Sequence, residues 1–385
     1  CHGGSHAMAI DERRHNPSIE QPGPTPIFFL WLPVTNGGGS LPKTFDLKAF
    51  WMLCTTAKTN ISGHVVLKIF RLCHLPLITI KLNYAYKLLF NMVYTLDLNF
   101  LGYPQSIAAY LVETSEGPLL IETGPYSTFE VLKNEIKRCG FELDEIKHVF
   151  LSHIHLDHAG AAWALAEQGA TIYLHPFGET HLAHPEKLME SAKRIYQEDM
   201  DRLWGQMHPI PMDQLRSTVH LEEIIIGNLC LQALHTPGHA KHHIAWKMDD
   251  LIFSGDVAGV KIQKGPVVPP CPPPDINLED WIHSIDLILA CEPSQIYLTH
   301  FGVIKNVPAH MHALKSMIHD WSQWVKKNWM AGFTADELTP KFSEYTSQQL
   351  LRLGVDPLGI KQYEAANPSW MSVAGLIRYW EKKTG

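Results

Sequence analysis

The sequence predicts an α/β fold in which strand-rich layers are covered by helices. Two observations lead to this prediction. Short apolar runs recur from Val93 onward, and glycine, proline and polar turn residues separate them, as is typical of strands. Between several of these runs lie longer segments whose apolar residues repeat at the spacing of an amphipathic helix.

The first predicted elements are two strands, a helix and a third strand. Strands at 107–112 and 119–121 flank a polar turn that contains glycine and proline. The helix is predicted to begin at a capping box, Ser127-x-x-Glu130, in which two side chains pair with free backbone amides. The apolar strand at 148–151 follows it.

The same alternation continues to residue 298. A short helix at 161–168 and a longer one at about 186–207 precede a series of strands, and one more helix precedes the last strand. The predicted strands are 171–174, 223–226, 229–234, 244–246, 251–253 and 295–298, and the last helix is 278–290. Beyond His300 the pattern is helical, with a second capping box at Thr334-x-x-Glu337.

Three regions are predicted along the chain. Residues 1–91 lack clean periodicity and are expected to be a leader that is disordered or not native to the protein. The alternative for this leader is a segment that associates with membranes or forms a homodimer. Residues 92–305 form the predicted catalytic domain, and residues 306–385 form a helical extension packed on it.

The composition limits the partners that the protein can have. The formal net charge is -7, and because binding to phosphates requires a basic face, we expect no nucleic-acid partner. The 7 cysteines are scattered without a C-x-x-C pair, which predicts a reducing, cytoplasmic environment. Charged residues interrupt the apolar stretches, so we expect no stable membrane insertion. A small molecule is the predicted substrate.

The segment 150–160 reads FLSHIHLDHAG and carries the strongest chemical signal. His153 and His155 leave an extended chain on the same side, whereas Asp157 and His158 follow from the turn beyond. Four side chains can therefore converge on two points a few ångströms apart. This arrangement predicts a metal site at the end of a strand.

Three later segments each place a histidine or aspartate directly after a predicted strand. They read TPGH at 236–239, SGD at 254–256 and THFG at 299–302, and we expect them along the same edge of the sheets. One predicted metal has the ligands His153, His155 and His239. A second has Asp157, His158 and His300, and the carboxylate of Asp256 can bridge both.

Neutral imidazole and carboxylate ligands suit zinc, and they also accept iron or manganese. We therefore expect two zinc ions as the cofactors. A water that bridges two such ions has a pKa near neutrality, so hydroxide becomes available as a nucleophile at physiological pH. The sequence thus predicts hydrolysis.

The ordered set H-x-H-x-D-H, T-P-G-H, S-G-D and T-H resembles the metallo-β-lactamase-fold superfamily over about residues 93–305. The resemblance implies a four-layer αββα sandwich with a dinuclear site on the sheet edges. It also implies the same ligand roles for the seven residues named above.

Two positions refine the resemblance. Family members commonly carry I-D-T-G where this sequence has Ile121-Glu122-Thr123-Gly124, so the longer Glu122 is expected to support the ligand loop. The best-known subclass of true β-lactamases has a cysteine at the position of Asp256. This sequence therefore looks more like glyoxalase II, the lactonases and related hydrolases.

Lactonases of the quorum-quenching type carry a tyrosine shortly after that aspartate, and 257–260 contains none. The proline-rich loop 266–274 follows Asp256 and is expected to overhang the metals. Pro269 and Pro270 are its candidate substrate contacts. Of His242 and His243, one is expected to face the core and the other the outside.

The resulting hypothesis is a metal-dependent hydrolase of the acyl ester, thioester or lactone class. The bridging hydroxide attacks the substrate carbonyl, and Asp157 also shuttles the proton. The alternative, from another class of enzyme, resembles the persulfide dioxygenases of the same fold. These use a single iron, held by the counterparts of His153, His239 and Asp256.

Overall fold

The computed structural model describes residues 92–384, so the predicted leader at 1–91 lies outside the described residues. Within this part of the chain the strands form two sheets of six strands each. The first sheet holds the first six strands in chain order, and the second holds the last six.

The strands of the first sheet begin with an antiparallel meander and continue with parallel pairs. The first two pairings are antiparallel and the next three are parallel. In spatial order the strands are β1 Val93–Asp97, β2 Ala108–Thr114, β3 Gly117–Ile121, β4 His148–Phe150, β5 Thr171–Leu174 and β6 Leu215–Ser217.

The second sheet is antiparallel except at one pairing. The strand that precedes the last crossover helix pairs in parallel with the strand that follows this helix. In chain order the strands are β7 Glu223–Ile226, β8 Leu229–His235, β9 Ile244–Met248, β10 Leu251–Gly255, β11 Gln295–Leu298 and β12 Gly302–Ile304.

The described α-helices fall into two groups. The helices between the strands are α1 Phe129–Arg138, α2 Leu156–Ala159, α3 Ala162–Ala166, α4 Pro176–Ala183, α5 Glu186–Tyr196, α6 Met200–Leu203 and α7 Leu278–Ala290. The helices after the last strand are α8 Val307–Met330, α9 Ala335–Arg352, α10 Pro357–Ala366 and α11 Ser369–Thr384. None of the described helices is both long and apolar enough to cross a bilayer.

Alternation along the strands assigns each side chain to one of three apolar layers. In β2, Tyr110 and Val112 belong to the cluster between the two sheets, whereas Leu111 belongs to the cluster under the first group of helices. Between the sheets, Phe150 of the first meets Trp246 of the second with ring centroids 5.0 Å apart. A third cluster joins the second sheet to helices α7–α11.

The layers therefore run helix, sheet, sheet, helix, and the predicted αββα sandwich with a C-terminal helical extension is confirmed. The capping box at Thr334 is also confirmed, since the Glu337 amide donates to Thr334 Oγ1 and the Thr334 amide donates to a Glu337 carboxylate oxygen.

Two local predictions are wrong. The capping box at Ser127 does not form, because α1 begins at Phe129 and the Ser127 hydroxyl donates instead to the Leu203 carbonyl, at 2.6 Å. The single helix expected at 186–207 is divided into α5 and α6 by a 3₁₀ turn at Gln197–Asp199. At Ser127 the contact with the end of α6 replaces the local capping pattern.

Candidate metal centre

The H-x-H-x-D-H segment lies directly after β4, as the sequence predicted. His153 and His155 leave an extended stretch, and His155 has the extended backbone (φ -61°, ψ 150°) of the residue that precedes a helix. Asp157 and His158 belong to the first turn of α2. The change from extended chain to helix is therefore what turns four closely spaced polar side chains towards one point.

The other predicted ligands also follow strands. His239 follows β8, Asp256 follows β10 and His300 follows β11. The position before Asp256 requires glycine, because Gly255 has φ 51° and a Cβ there would crowd Ser152 and His243. The edge of the two sheets thus collects side chains that are far apart along the chain.

Three imidazoles form the first group. His155 Nδ1 lies 2.8 Å from His153 Nε2 and 3.1 Å from His239 Nε2, so three ring nitrogens converge. His153 and His239 are buried, whereas His155 is half-buried. Of the three rings only that of His155 is partly exposed, so the group is accessible from this side.

The second group consists of Asp157, His158 and His300. Asp157 Oδ2 lies 3.7 Å from His158 Nε2 and 3.4 Å from His300 Nε2. The two histidines are buried, while the Asp157 side chain is 21% exposed. Asp157 therefore lies at the open side of the cluster, as His155 does in the first group.

Asp256 lies between the two groups. Its Oδ2 is 3.3 Å from His239 Nε2, and its Oδ1 is 3.3 Å from His158 Nε2 and 3.4 Å from His300 Nε2. A single buried carboxylate thus touches both sets of imidazoles. All seven predicted ligands meet in one cluster.

The protonation of two rings follows from their outer contacts. His239 Nδ1 lies 2.9 Å from the carbonyl oxygen of Pro270, and His300 Nδ1 lies 2.7 Å from that of Ser106. A carbonyl oxygen only accepts, so in both rings Nδ1 carries a proton and donates it. In the neutral rings the Nε2 lone pairs then face carboxylate oxygens of Asp256 and Asp157, an arrangement that becomes favourable when a positive charge, on a bound metal ion or on the ring itself, lies between them.

The inner atoms of the cluster support the same conclusion. His158 Nε2 and Asp256 Oδ1 are buried and lie 3.3 Å apart, yet neither has a well-formed hydrogen bond among the described residues. Such atoms carry a desolvation cost unless an ion satisfies them. Together with the mixed imidazole and carboxylate donors, which suit zinc, iron or manganese, these atoms fit divalent metal ions.

The local electrostatics favour positive charge. Burial lowers the pKa of His158, but the carboxylates of Asp256, Glu122 and Asp157 outweigh it and raise this pKa well above its usual value. Burial raises the pKa of Asp256, and the nearby His158 and His300 outweigh it and hold this pKa well below its usual range. The side of the cluster around Asp256 therefore stabilises positive charge, whereas burial and the neighbouring histidines lower the pKa of His153.

Glu122 supports the cluster through a contact with His158. It is buried, its Oε1 lies 3.2 Å from His158 Nδ1, and this oxygen also accepts the Ser152 amide at 3.3 Å. The longer side chain therefore does reach the ligand loop, and it does so through His158. This contact orients the ring so that its other nitrogen faces Asp256.

The proline-rich loop lies directly against His239, and its expected contact with the substrate stays a prediction. Pro269 and Pro270 are both buried, and the Pro270 carbonyl accepts the proton of His239. The loop supports His239 by its backbone, since a proline has a carbonyl acceptor but no amide donor.

The expectation that His242 and His243 face opposite sides is wrong, because both are buried. His243 Nε2 accepts the backbone amide of Asp256 at 3.1 Å, and its Nδ1 lies 2.8 Å from the Thr236 hydroxyl. Ser106 was not expected from the sequence, because it acts by its backbone carbonyl, which has no sequence signal.

Known proteins with similar sequences point to one superfamily. A metallo-β-lactamase fold-containing protein of Sulfurisphaera tokodaii is 26% identical over 226 residues, which are 56% of this chain and 80% of that protein. An N-acyl homoserine lactonase of Bacillus thuringiensis is 35% identical over 157 residues, which are 35% of this chain and 54% of that protein. The chain thus spans about half of this lactonase.

Solved structures share the fold. A metallo-β-lactamase family protein of Thermus thermophilus matches with a TM-score of 0.56 at 21% sequence identity, over 76% of this chain and 93% of that one. An archaeal metallo-β-lactamase superfamily protein of Sulfolobus tokodaii has a TM-score of 0.51 at 22% identity, over 60% and 86%. The family model of the metallo-β-lactamase superfamily matches residues 102–300, more than half of the chain. The chain therefore belongs to the metallo-β-lactamase superfamily.

Proposed function

We propose that this chain is a dinuclear metal-dependent hydrolase that cleaves an acyl ester, thioester or lactone. The observation that carries the proposal is the position of Asp256, whose two oxygens face separate groups of imidazoles. One ion would be held by His153, His155 and His239. A second would be held by Asp157, His158 and His300, and we expect zinc at both positions, although iron or manganese suits the same donors.

When bound, two such ions supply Lewis acidity and hydroxide at neutral pH. The protein has three tasks beside this chemistry. The buried rings of His239 and His300 are oriented by carbonyl oxygens, which keeps their Nε2 lone pairs directed inward. The burial of most of the ligands limits their hydration, and the partly exposed Asp157 and His155 form the side from which a substrate would approach.

Asp157 is the proposed proton acceptor and donor. Its carboxylate is the most accessible of the three that face the cluster, at 21% exposure against 4% for Asp256 and 2% for Glu122. It can therefore contact a substrate while Oδ2 remains 3.4 Å from His300. In this position it would take the proton of the nucleophile and pass it to the leaving group.

A carbonyl substrate is supported by one of the similar proteins. The relative with 35% identity over 157 residues is an N-acyl homoserine lactonase, a protein that by its name acts on a lactone.

Metal analysis with parallel assays tests the proposal. Protein purified without added metal is analysed for its elements, and turnover is followed on a thioester and on a persulfide. We expect about two zinc ions per chain by the ligand count and thioester cleavage without oxygen uptake. His300→Ala should abolish cleavage, whereas His283→Ala, a matched change at an exposed position of α7, should not.

Other results would contradict the proposal in different ways. A single iron with oxygen uptake on the persulfide would replace hydrolysis by the dioxygenase reaction. A protein that binds no metal, or one that cleaves esters fully after metal removal, would refute the metal-dependent mechanism. The cytoplasmic location and the homodimer stay predictions from the sequence.

A further inference from the structure

The C-terminal helical extension contacts the cluster through the proline-rich loop. Asn367, the residue directly after α10, donates from Nδ2 to the Pro269 carbonyl at 3.1 Å. The carbonyl of the next residue, Pro270, accepts the Nδ1 proton of His239 at 2.9 Å. Two consecutive carbonyls of one loop thus join the extension to a proposed metal ligand.

Asn367 is itself held in place. It is buried, and its Oδ1 accepts the Ser372 hydroxyl at 3.1 Å, while its backbone amide donates to the Tyr363 carbonyl at 2.8 Å. The side-chain amide therefore has a partner on each side and cannot turn without losing one. Because these groups are buried, a lost partner is not replaced readily by water.

The helix that carries Ser372 is seated tightly on the same loop. Gly375 of α11 packs so closely against the Cys271 backbone that a Cβ would overlap the Cys271 carbonyl oxygen. The loop is therefore clamped on one side by α11 and by Asn367, and it meets His239 on the other side. Its own prolines add a further constraint on the backbone, since 269–274 reads PPCPPP.

We infer that Asn367 is a positioning residue of the metal centre, which holds the Pro269–Pro270 backbone so that the Pro270 carbonyl orients the His239 ring. The inference rests on the proposed role of His239 as a metal ligand. On this basis the extension is part of the site's support, in addition to covering the second sheet. It acts on one of the two ligand groups only, because His239 belongs only to the first.

Substitution of Asn367 tests this inference by metal affinity. The holoenzyme is titrated with a zinc chelator, and the release of each metal equivalent is measured for the wild type, Asn367→Ala and His239→Ala. We expect Asn367→Ala to weaken the binding of one of the two metal ions by about 10–100-fold. This is the usual effect of losing an outer hydrogen bond that supports a metal ligand. This equivalent is the one that His239→Ala also weakens, so the double variant should show no additional loss.

Two further variants separate positioning from general stability. Tyr379→Phe removes the bond from α11 to the Glu279 carboxylate, at 3.0 Å, without touching the loop, so it should leave both affinities unchanged. Ser372→Ala is milder than Asn367→Ala and should weaken the same single equivalent several-fold. It decides the question if Asn367→Ala does not fold.

The outcomes distinguish the inference from the proposed function. Equal weakening of both equivalents, or no weakening in either Asn367→Ala or Ser372→Ala, would overturn the positioning role and leave the dinuclear hydrolase standing. A wild-type protein that holds no metal would overturn both. Selective weakening of the His239 equivalent, with Tyr379→Phe unchanged, supports the role of Asn367.

Discussion

Glu122 provides the sharpest test of the geometry. If its charge matters most, Glu122→Gln should bind metal more weakly than Glu122→Asp, and if its length matters most, the order should be reversed. Its Oε1 lies 3.2 Å from His158 Nδ1 and accepts the Ser152 amide at 3.3 Å. Glu122→Gln keeps an oxygen at this position but removes the charge. Glu122→Asp keeps the charge but shortens the side chain by one bond of about 1.5 Å.

The magnitudes follow from the two contacts. A hydrogen bond to a charged group contributes about 1.5–3 kcal/mol and a neutral one about 0.5–1.5, so Glu122→Gln should cost about 1–1.5 kcal/mol. This corresponds to about tenfold weaker binding of the metal at His158. In Glu122→Asp the oxygen retreats to about 4.7 Å from His158 Nδ1, beyond hydrogen-bonding distance. The loss of this one bond, which is the contact that acts on the metal ligand, should cost about 2–3 kcal/mol, or roughly 30–150-fold weaker binding.

Chelator competition on the holoenzyme measures the difference. The order of affinities should be wild type, then Glu122→Gln, then Glu122→Asp, and only one metal equivalent should change. Glu130→Gln, on the exposed face of α1, is the matched control and should bind as the wild type does. If Glu122→Asp binds metal more tightly than Glu122→Gln, charge rather than reach governs this position and the reasoning is wrong.

Two further predictions concern Asp256 and the helical extension. Asp256→Asn should weaken the binding of both metal ions, because the Asp256 oxygens face both ligand groups. Elemental analysis after dialysis should show less metal in this variant than in His300→Ala. Equal losses of metal in the two variants would count against the bridging role. Thr334→Ala removes the capping bond to the Glu337 amide and should cost about 1 kcal/mol, which lowers the melting temperature by roughly 2 °C. The metal content of that variant should not change, and a fall would mean that α9 supports the site.

Much of the cluster was readable from the sequence for a physical reason. Each of the seven residues directly follows an apolar run or lies in the turn after it, and consecutive strand ends in such sheets meet at one edge. The order of the motifs therefore predicted which side chains would come together, although their binding of metal stays a proposal. The positions of His242 and His243 were not readable, because alternation along the chain does not apply in the turn before β9.

Local patterns also have limits at the ends of elements. Ser127-x-x-Glu130 has the spacing of a capping box, but the carbonyl of Leu203 offers the hydroxyl another partner, 76 positions away in the chain. The packing of a distant segment therefore decided the local structure at this position.

Apolar periodicity and short motifs were enough to predict the α/β layers, the superfamily resemblance and the membership of the cluster, because each of these depends on residue types at fixed spacings. The backbone atoms that orient the rings were set by packing alone. The Ser106 carbonyl meets His300 across 194 positions, and Asn367 meets Pro269 across 98. Carbonyl groups are the same in every residue, so their partners leave no trace in the sequence and follow only from how the chain packs.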